Sequence, residues 1–156
     1  MTVFFTQGDL ILPGAHTTAR GVNCSGMMGA GITREFRRRY PQMFSKHRRR
    51  CFSGELRPGD YFLDKTTVPW VLNLATQDMT AGATLAHVRS CLECFTRSYS
   101  QEGIKSLSMP RITEGLGGPE WDIIRDSIEH VLGPLPLDVY VYERYVRGLK
   151  GYEPPL

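Results

Sequence analysis

The feature that most restricts the fold is a repeated alternation of short β-type runs with segments of helical period. "TVFFT" at 2–6 is β-branched and aromatic and stops at Gly8, and "TTARGVN" at 17–23 is a second run of the same kind. Ile32, Phe36 and Tyr40 recur every four residues, which predicts a helix starting just after Gly31 and stopping near Pro41, with a second over 42–52. Tyr61 to Asp64 and Trp70 to Leu74 read as two strands around a turn. Thr84 is an N-cap for a long helix with Val88, Leu92, Phe95 and Tyr99 on one face, ending at Gly103. "KSLSM" is a buried-type strand, Pro119 opens a helix running to Leu132, "LDVYVYE" is the last strand, and "GLKGYEPPL" reads as a tail. Strands alternating with helices predict a three-layer α/β/α sandwich around a mainly parallel, mixed central sheet. The domain is expected over 1–146, with 147–156 as the C-terminal tail.

At 156 residues the chain suits one domain with one core. Apolar residues make up 41% and charged residues 22%, which excludes disordered and fibrous classes. The N-terminus lacks a basic leader region, no run approaches the ~18 apolar residues of a membrane span, and the four cysteines (Cys24, Cys51, Cys91, Cys94) suit reduced thiols. The expectation is a cytoplasmic protein with no membrane contact. A net charge of +3 hides a concentration: Arg34, Arg37, Arg38, Arg39, Lys46, Arg48, Arg49 and Arg50 fall within one short stretch. Such a patch is either a solvated helix face or a footprint for nucleic acid or another anionic partner.

Two glycine-rich loops, 26–31 and 115–118, sit between a strand and a helix, where ligands of open α/β sheets bind. Bare backbone at a helix N-terminus lets amide groups approach a phosphate, and two such loops can clamp a diphosphate. On spacing alone the same glycines also serve tight turns. Gly31 is followed by Ile32 and Thr33, so a P-loop's lysine is missing, and Arg34 stands where a Rossmann fingerprint needs its third glycine. Cys91 and Cys94, with His87 before them, lie within one helix and make poor zinc geometry, and Cys24 has no histidine placed in sequence to mark it as a nucleophile.

The pieces "QGDL", "NCSGMMGAGITREFRRRYP", "MPRITEGLGGPEW" and "VYVYER" occur in this order across nearly the whole chain. Together they resemble the macro domain, the ADP-ribose-binding module, in the branch that includes terminal ADP-ribose glycohydrolases and the yeast-type ADP-ribose 1''-phosphate phosphatase. The resemblance implies that Asp9, beside Leu10, accepts the adenine amino group and that Tyr142 stacks on the adenine ring. Gly29, Ala30, Gly31 and Ile32 would line one side of the diphosphate, and Thr113, Glu114, Gly115, Leu116 and Gly117 the other. Asn23 and Ser25 would face the distal ribose. Trp121 is expected to pack rather than react.

Hydrolases of this branch commonly use a lysine at the end of a central strand and an acid in the second glycine loop. Here those positions fall on Gln77 and near Gly117. Glutamine forms no Schiff base and glycine is no general base. Catalysis would then rest on positioning a water at the anomeric carbon, with Asn23, Ser25, Gln77 and Glu114 as the polar candidates and Asp78 a fainter one. The resulting expectation is a hydrolase that removes ADP-ribose from acidic residues of modified proteins or cleaves a related distal-ribose adduct, with no cofactor and no metal. A non-catalytic ADP-ribose reader, a 1''-phosphate phosphatase and a basic nucleic-acid-binding protein stay open beside it.

Overall fold

A computed structural model describes residues 3–10, 12, 14–26, 31–78, 82–112, 118–151 and 153, with the side chains of 31–33 outside the description. The elements are β1 (Val3–Gly8), β2 (Thr17–Val22), α1 (Gly31–Arg39), α2 (Pro41–Ser53), β3 (Tyr61–Asp64), β4 (Trp70–Ala75), α3 (Leu85–Glu102), β5 (Ser106–Pro110), α4 (Trp121–Leu132) and β6 (Asp138–Tyr145). The strands form one six-stranded sheet in the order β1-β6-β5-β2-β4-β3. Every pairing is parallel except β3 with β4. The expected mixed, mainly parallel sandwich is the observed one.

Local chemistry sets the boundaries. Thr84 caps α3 by accepting the His87 amide at 3.1 Å, and Gly103 ends it in the left-handed region at φ +90°, where a side chain would be strained. The last helix begins two residues later than Pro119 suggests, because the amides of Ile123 and Ile124 close its first turn on the Glu120 carbonyl and leave Pro119 outside. β1 extends beyond the 2–6 run and stops at Gly8 as expected, a bulge between Thr6 and Gln7 restoring its pairing with Arg144 and Tyr145.

The two sheet faces bury different material. Against α3 and α4 lie Leu72, Leu74, Leu107, Met109 and Val139, packed on Val88, Leu92, Phe95, Ile124 and Ile128. Against α1 and α2 lie Val71, Tyr140 and Tyr142, packed on Phe36, Tyr40 and Met43. The second face also buries a cation. Arg20 on β2 is 0% exposed, its Nε donating to Asn73 Oδ1 at 2.6 Å and its Nη2 to Met43 Sδ at 3.4 Å, with the guanidinium 5.3 Å from the Phe36 ring centre. Asn73 in turn donates to the Phe62 carbonyl at 3.1 Å, which ties the arginine to the antiparallel edge.

His47 on α2 is also 0% exposed, and burial, reinforced by the positive Arg20, pulls its pKa down to about 3. The imidazole is therefore neutral in the fold, while in the unfolded chain it takes a proton near pH 6.5. Between those values the unfolded state binds the extra proton, so this stability is complete above pH 6.5 and is lost as pH falls, by up to about 1.4 kcal/mol per pH unit. The urea midpoint should drop between pH 7 and pH 5, and His47→Gln should flatten that decline; an equal decline in the variant would remove His47 as its source.

Candidate functional site

All five parallel strands end on the same edge, and the residues that follow them make the site. The connection leaving β2 leads to β4 on one side of the sheet, and the connection leaving β5 leads to β6 on the other. A crevice opens where two such connections diverge. β2 and β5 pair only through Thr17 with Leu107 and Thr18 with Ser108, so the strands part well before their carboxyl ends. Asn23 follows β2, Gln77 lies just past β4, Arg111 and Ile112 follow β5, and Asp9 follows β1.

The Asn23 turn is held from two directions. Asn23 Oδ1 accepts from the Ser25 amide at 3.2 Å and from Ser25 Oγ at 2.9 Å, so the two expected ribose-facing residues form one unit. From α2, the Cys51 thiol approaches the Asn23 carbonyl oxygen at 3.8 Å, its sulfur accepts the Gly26 amide, and His47 Nε2 stands 3.3 Å behind it. Neither Cys51 nor His47 stood out in the sequence. Their i, i+4 spacing was visible, but nothing in the chain tied it to the Asn23 turn.

Across the crevice, Gly21 lies under Ile112, the last described residue before 113–117. A β-carbon at Gly21 would overlap the Ile112 carbonyl oxygen, which also accepts the Thr76 hydroxyl at 3.1 Å. The ends of β2, β4 and β5 are thus joined through one carbonyl. Gln77, next along, is half-buried, pairs with Ala83, and donates its amide to the Val22 carbonyl at 3.3 Å. Asn23, Ser25 and Gln77 therefore border the same opening, while Asp78 is exposed.

At the other end stand Asp9, Leu10 and Tyr142. Leu10 is buried in the apolar cluster under α1. Asp9 Oδ2 accepts the Gly148 amide at 3.0 Å, and the Asp9 amide donates to the Leu149 carbonyl at 2.7 Å. Tyr142 is 1% exposed: its hydroxyl donates to Glu153 Oε2 at 2.5 Å, and Gly151 lies so close to the ring that a β-carbon there would overlap it. Burial and the Glu153 carboxylate both raise the Tyr142 pKa. The ring expected to support a base is covered by a segment that reads in sequence as a tail. Gly29, Ala30, Thr113, Glu114, Gly115, Leu116 and Gly117 lie outside the described residues, as does the side chain of Ile32; for Gly31 the structure gives its place as the first residue of α1.

Burial raises the Cys24 thiol to about 11 and the Cys91 thiol to about 12, which keeps both protonated and unreactive at neutral pH. Cys91 and Cys94 point at the Asp60 and Gly59 carbonyls at 3.4 and 3.6 Å, fastening α3 to the loop before β3. Trp121 donates to Glu143 Oε2 at 2.8 Å beside Arg125, a packing role on the outer face of β6.

The basic stretch forms the outer surface of α1 and α2. Arg38 pairs with Glu35, Arg50 with Glu55 and Lys46 with Asp64. Among the described residues Arg34, Arg37, Arg39, Arg48 and Arg49 form no ion pair, and all five are exposed. Arg34, Arg37, Arg38 and Arg147 line a groove together with Glu35 and Phe44.

Two outcomes test this construction. Gly21→Ala should cost about 2–3 kcal/mol, since the clash is with backbone that cannot swing away, and would be read as a fall in the unfolding midpoint. Iodoacetamide at pH 7.5 should leave Cys24 and Cys91 unlabelled in the native protein and label both after denaturation, by mass spectrometry; native labelling of Cys24 at a rate matching free cysteine would contradict its environment.

The model of the Macro domain family matches residues 19–128. The DNA ADP-ribosyl glycohydrolase of Mycobacterium tuberculosis is 28% identical over 96% of this chain and 46% of its own length. A DNA ADP-ribosyl transferase-DNA ADP-ribosyl glycohydrolase fusion protein of Thermosipho africanus is 27% identical over 87% of this chain and 40% of its length. The chain thus spans about half the length of the curated relatives it matches. Among solved structures, the macrodomain of Mycobacterium tuberculosis DarG superposes with a TM-score of 0.84 at 29% identity, covering 90% of this chain and 96% of that one. Thermosipho africanus DarTG in complex with ADP-ribose gives 0.76 at 26% identity, covering 85% of this chain and 38% of that one. With a family model spanning most of its length and a macrodomain superposing over nine-tenths of it, the chain belongs to the macro domain family.

Proposed function

We propose that the chain binds ADP-ribose along the strand-end crevice and hydrolyses the bond joining its distal ribose to a macromolecule. The observation that carries this reading is the Asn23–Ser25 turn, braced by Cys51 and set beside Gln77, whose amide donates to the neighbouring Val22 carbonyl. The adenine end lies toward Asp9 and Tyr142, and the diphosphate runs between 29–32 and 113–117. The distal ribose then reaches Asn23 and Ser25. A water attacks the anomeric carbon, the bond from that carbon to the carrier breaks, and the carrier departs with the electron pair and a proton. ADP-ribose is left with a free hydroxyl at that carbon.

Gln77 has no ionisable group, so its part is to hold the water or a ribose hydroxyl by hydrogen bonds, as Asn23, Ser25 and Glu114 would. Two carriers suit this chemistry: an acidic side chain of a protein and a nucleic acid. The five exposed arginines that form no ion pair among the described residues and the names of the relatives favour nucleic acid. A reader that binds ADP-ribose without turnover is the second reading, favoured by Gln77 and Gly117 standing where the family's lysine and acid are expected.

The test is a time course of free ADP-ribose released from an ADP-ribosylated oligonucleotide and from a glutamate-ADP-ribosylated protein. Release is expected from the oligonucleotide, slowed on the order of 10²-fold by Asn23→Ala or Gln77→Ala. Arg34→Gln with Arg37→Gln should lower kcat/KM on the oligonucleotide and weaken its salt dependence, without changing release from the protein carrier. Binding without release would establish the reader, and absence of binding would remove both readings.

A further inference from the structure

We propose that the segment after β6, Val146 to Gly151 together with Glu153, is an occluding strap that competes with the base of the nucleotide and must lift before ADP-ribose can seat fully. This rests on the reading of Asp9 and Tyr142 as the adenine contacts.

The strap crosses the strand-end edge of β1 and β6. It leaves β6 by the Val146 amide donating to the Gly8 carbonyl at 2.9 Å, turns with the Leu149 amide on the Val146 carbonyl at 3.2 Å, and engages Asp9 from both sides. The Gly148 amide occupies Asp9 Oδ2, the Leu149 carbonyl takes the Asp9 amide, and the Tyr145 hydroxyl also reaches the Asp9 carboxylate. Further on, Gly151 covers the Tyr142 ring and Glu153 holds its hydroxyl. A base that stacks on Tyr142 needs the surface that Gly151 covers, and its amino group competes with Gly148 and Tyr145 for the Asp9 carboxylate. Base and strap exclude each other.

Two features make the passage close and one makes it reversible. Gly8, at φ +145°, has no β-carbon to meet the Leu149 carbonyl, which would be 2.6 Å away, and Gly151 has none to meet Tyr142. These glycines let the strap lie flat on the edge. Glu153, however, buries a second carboxylate oxygen, Oε1, that has no hydrogen-bond partner among the described residues. An unpaired buried carboxylate oxygen opposes closure, so the closed form is held by hydrogen bonds that a ligand can replace. The apparent affinity for the nucleotide is then the intrinsic affinity reduced by the fraction of open strap.

Calorimetric titration of the full chain with ADP-ribose, AMP and ribose 5-phosphate tests the strap. Gly151→Val drives a side chain into the Tyr142 ring and Glu153→Gln weakens the tether, so each should tighten ADP-ribose and AMP by roughly 3- to 30-fold. Ribose 5-phosphate, which has no base, should be unaffected. Amide exchange at 147–149 in the unaltered chain should quicken on saturation with ADP-ribose, a readout that survives if Gly151→Val fails to fold. Unchanged or weaker ADP-ribose binding in the folded variants, or slower exchange at 147–149 with ligand, would overturn the strap while leaving the site intact. No binding of ADP-ribose by the unaltered chain or by either variant would sink the site reading, and the strap with it.

Discussion

The site depends on a pairing that stops early. β2 and β5 share two residue pairs and then separate, although both strands continue. In a closed ladder each backbone group beyond Thr18 would find its partner across the gap. Here the work passes to other groups: Thr76 takes the Ile112 carbonyl, and Gly21 lets that carbonyl come close by offering no side chain. The sheet remains one body while its centre opens. The residues proposed to meet the distal ribose lie around that opening.

What keeps the opening in shape is packed beneath it. Arg20 projects from β2 into the layer under α1 and α2, where Asn73, Met43 and the Phe36 ring surround it. A buried guanidinium without a carboxylate is expensive to desolvate, and removing its neighbours would leave it worse off. It therefore disfavours any displacement of α2 relative to β2 and β4. Because α2 also carries Cys51 to the Asn23 turn, the core arginine and the ribose-facing residues share one support. His47 and Met43 thus stand one contact away from Cys51 and Arg20 respectively.

The fold was legible because its signals are local. Thr84, Gly103 and the four-residue spacing of Ile32, Phe36 and Tyr40 each act within one turn of chain, and the elements appear where those signals point. Asp9 does follow β1 as its position in the chain suggests, whereas most of the two glycine loops lies outside the described residues. The supports of the site were hidden for the opposite reason. Cys51 meets Asn23 across 28 positions, Gly148 meets Asp9 across 139, and no period links them. "GLKGYEPPL" has the composition of a tail, and its glycines gave no hint that two strand ends would need them close. Burial of Arg20 was equally invisible, because a charged residue in a strand ordinarily points to water.

The chemistry left to such a site is decided by what its polar groups cannot do. Asn23, Ser25 and Gln77 neither ionise near neutral pH nor form a covalent intermediate with a sugar. They offer directed hydrogen bonds, and those are worth most where the donors and acceptors are already fixed before the substrate arrives. The Asn23 turn meets that condition: its carboxamide oxygen is spent on Ser25, its carbonyl is met by Cys51, and its position follows the end of β2. Fixing the side-chain oxygen on Ser25 leaves the Asn23 amide hydrogens as donors, so this residue can present hydrogen to a ribose or water oxygen but has little left to accept with. In the proposed hydrolysis, acceptance of a proton from the attacking water would then fall to an oxygen elsewhere, the Glu114 carboxylate or the substrate's own diphosphate, each of which carries charge, and Asn23, Ser25 and Gln77 would keep the task of orientation.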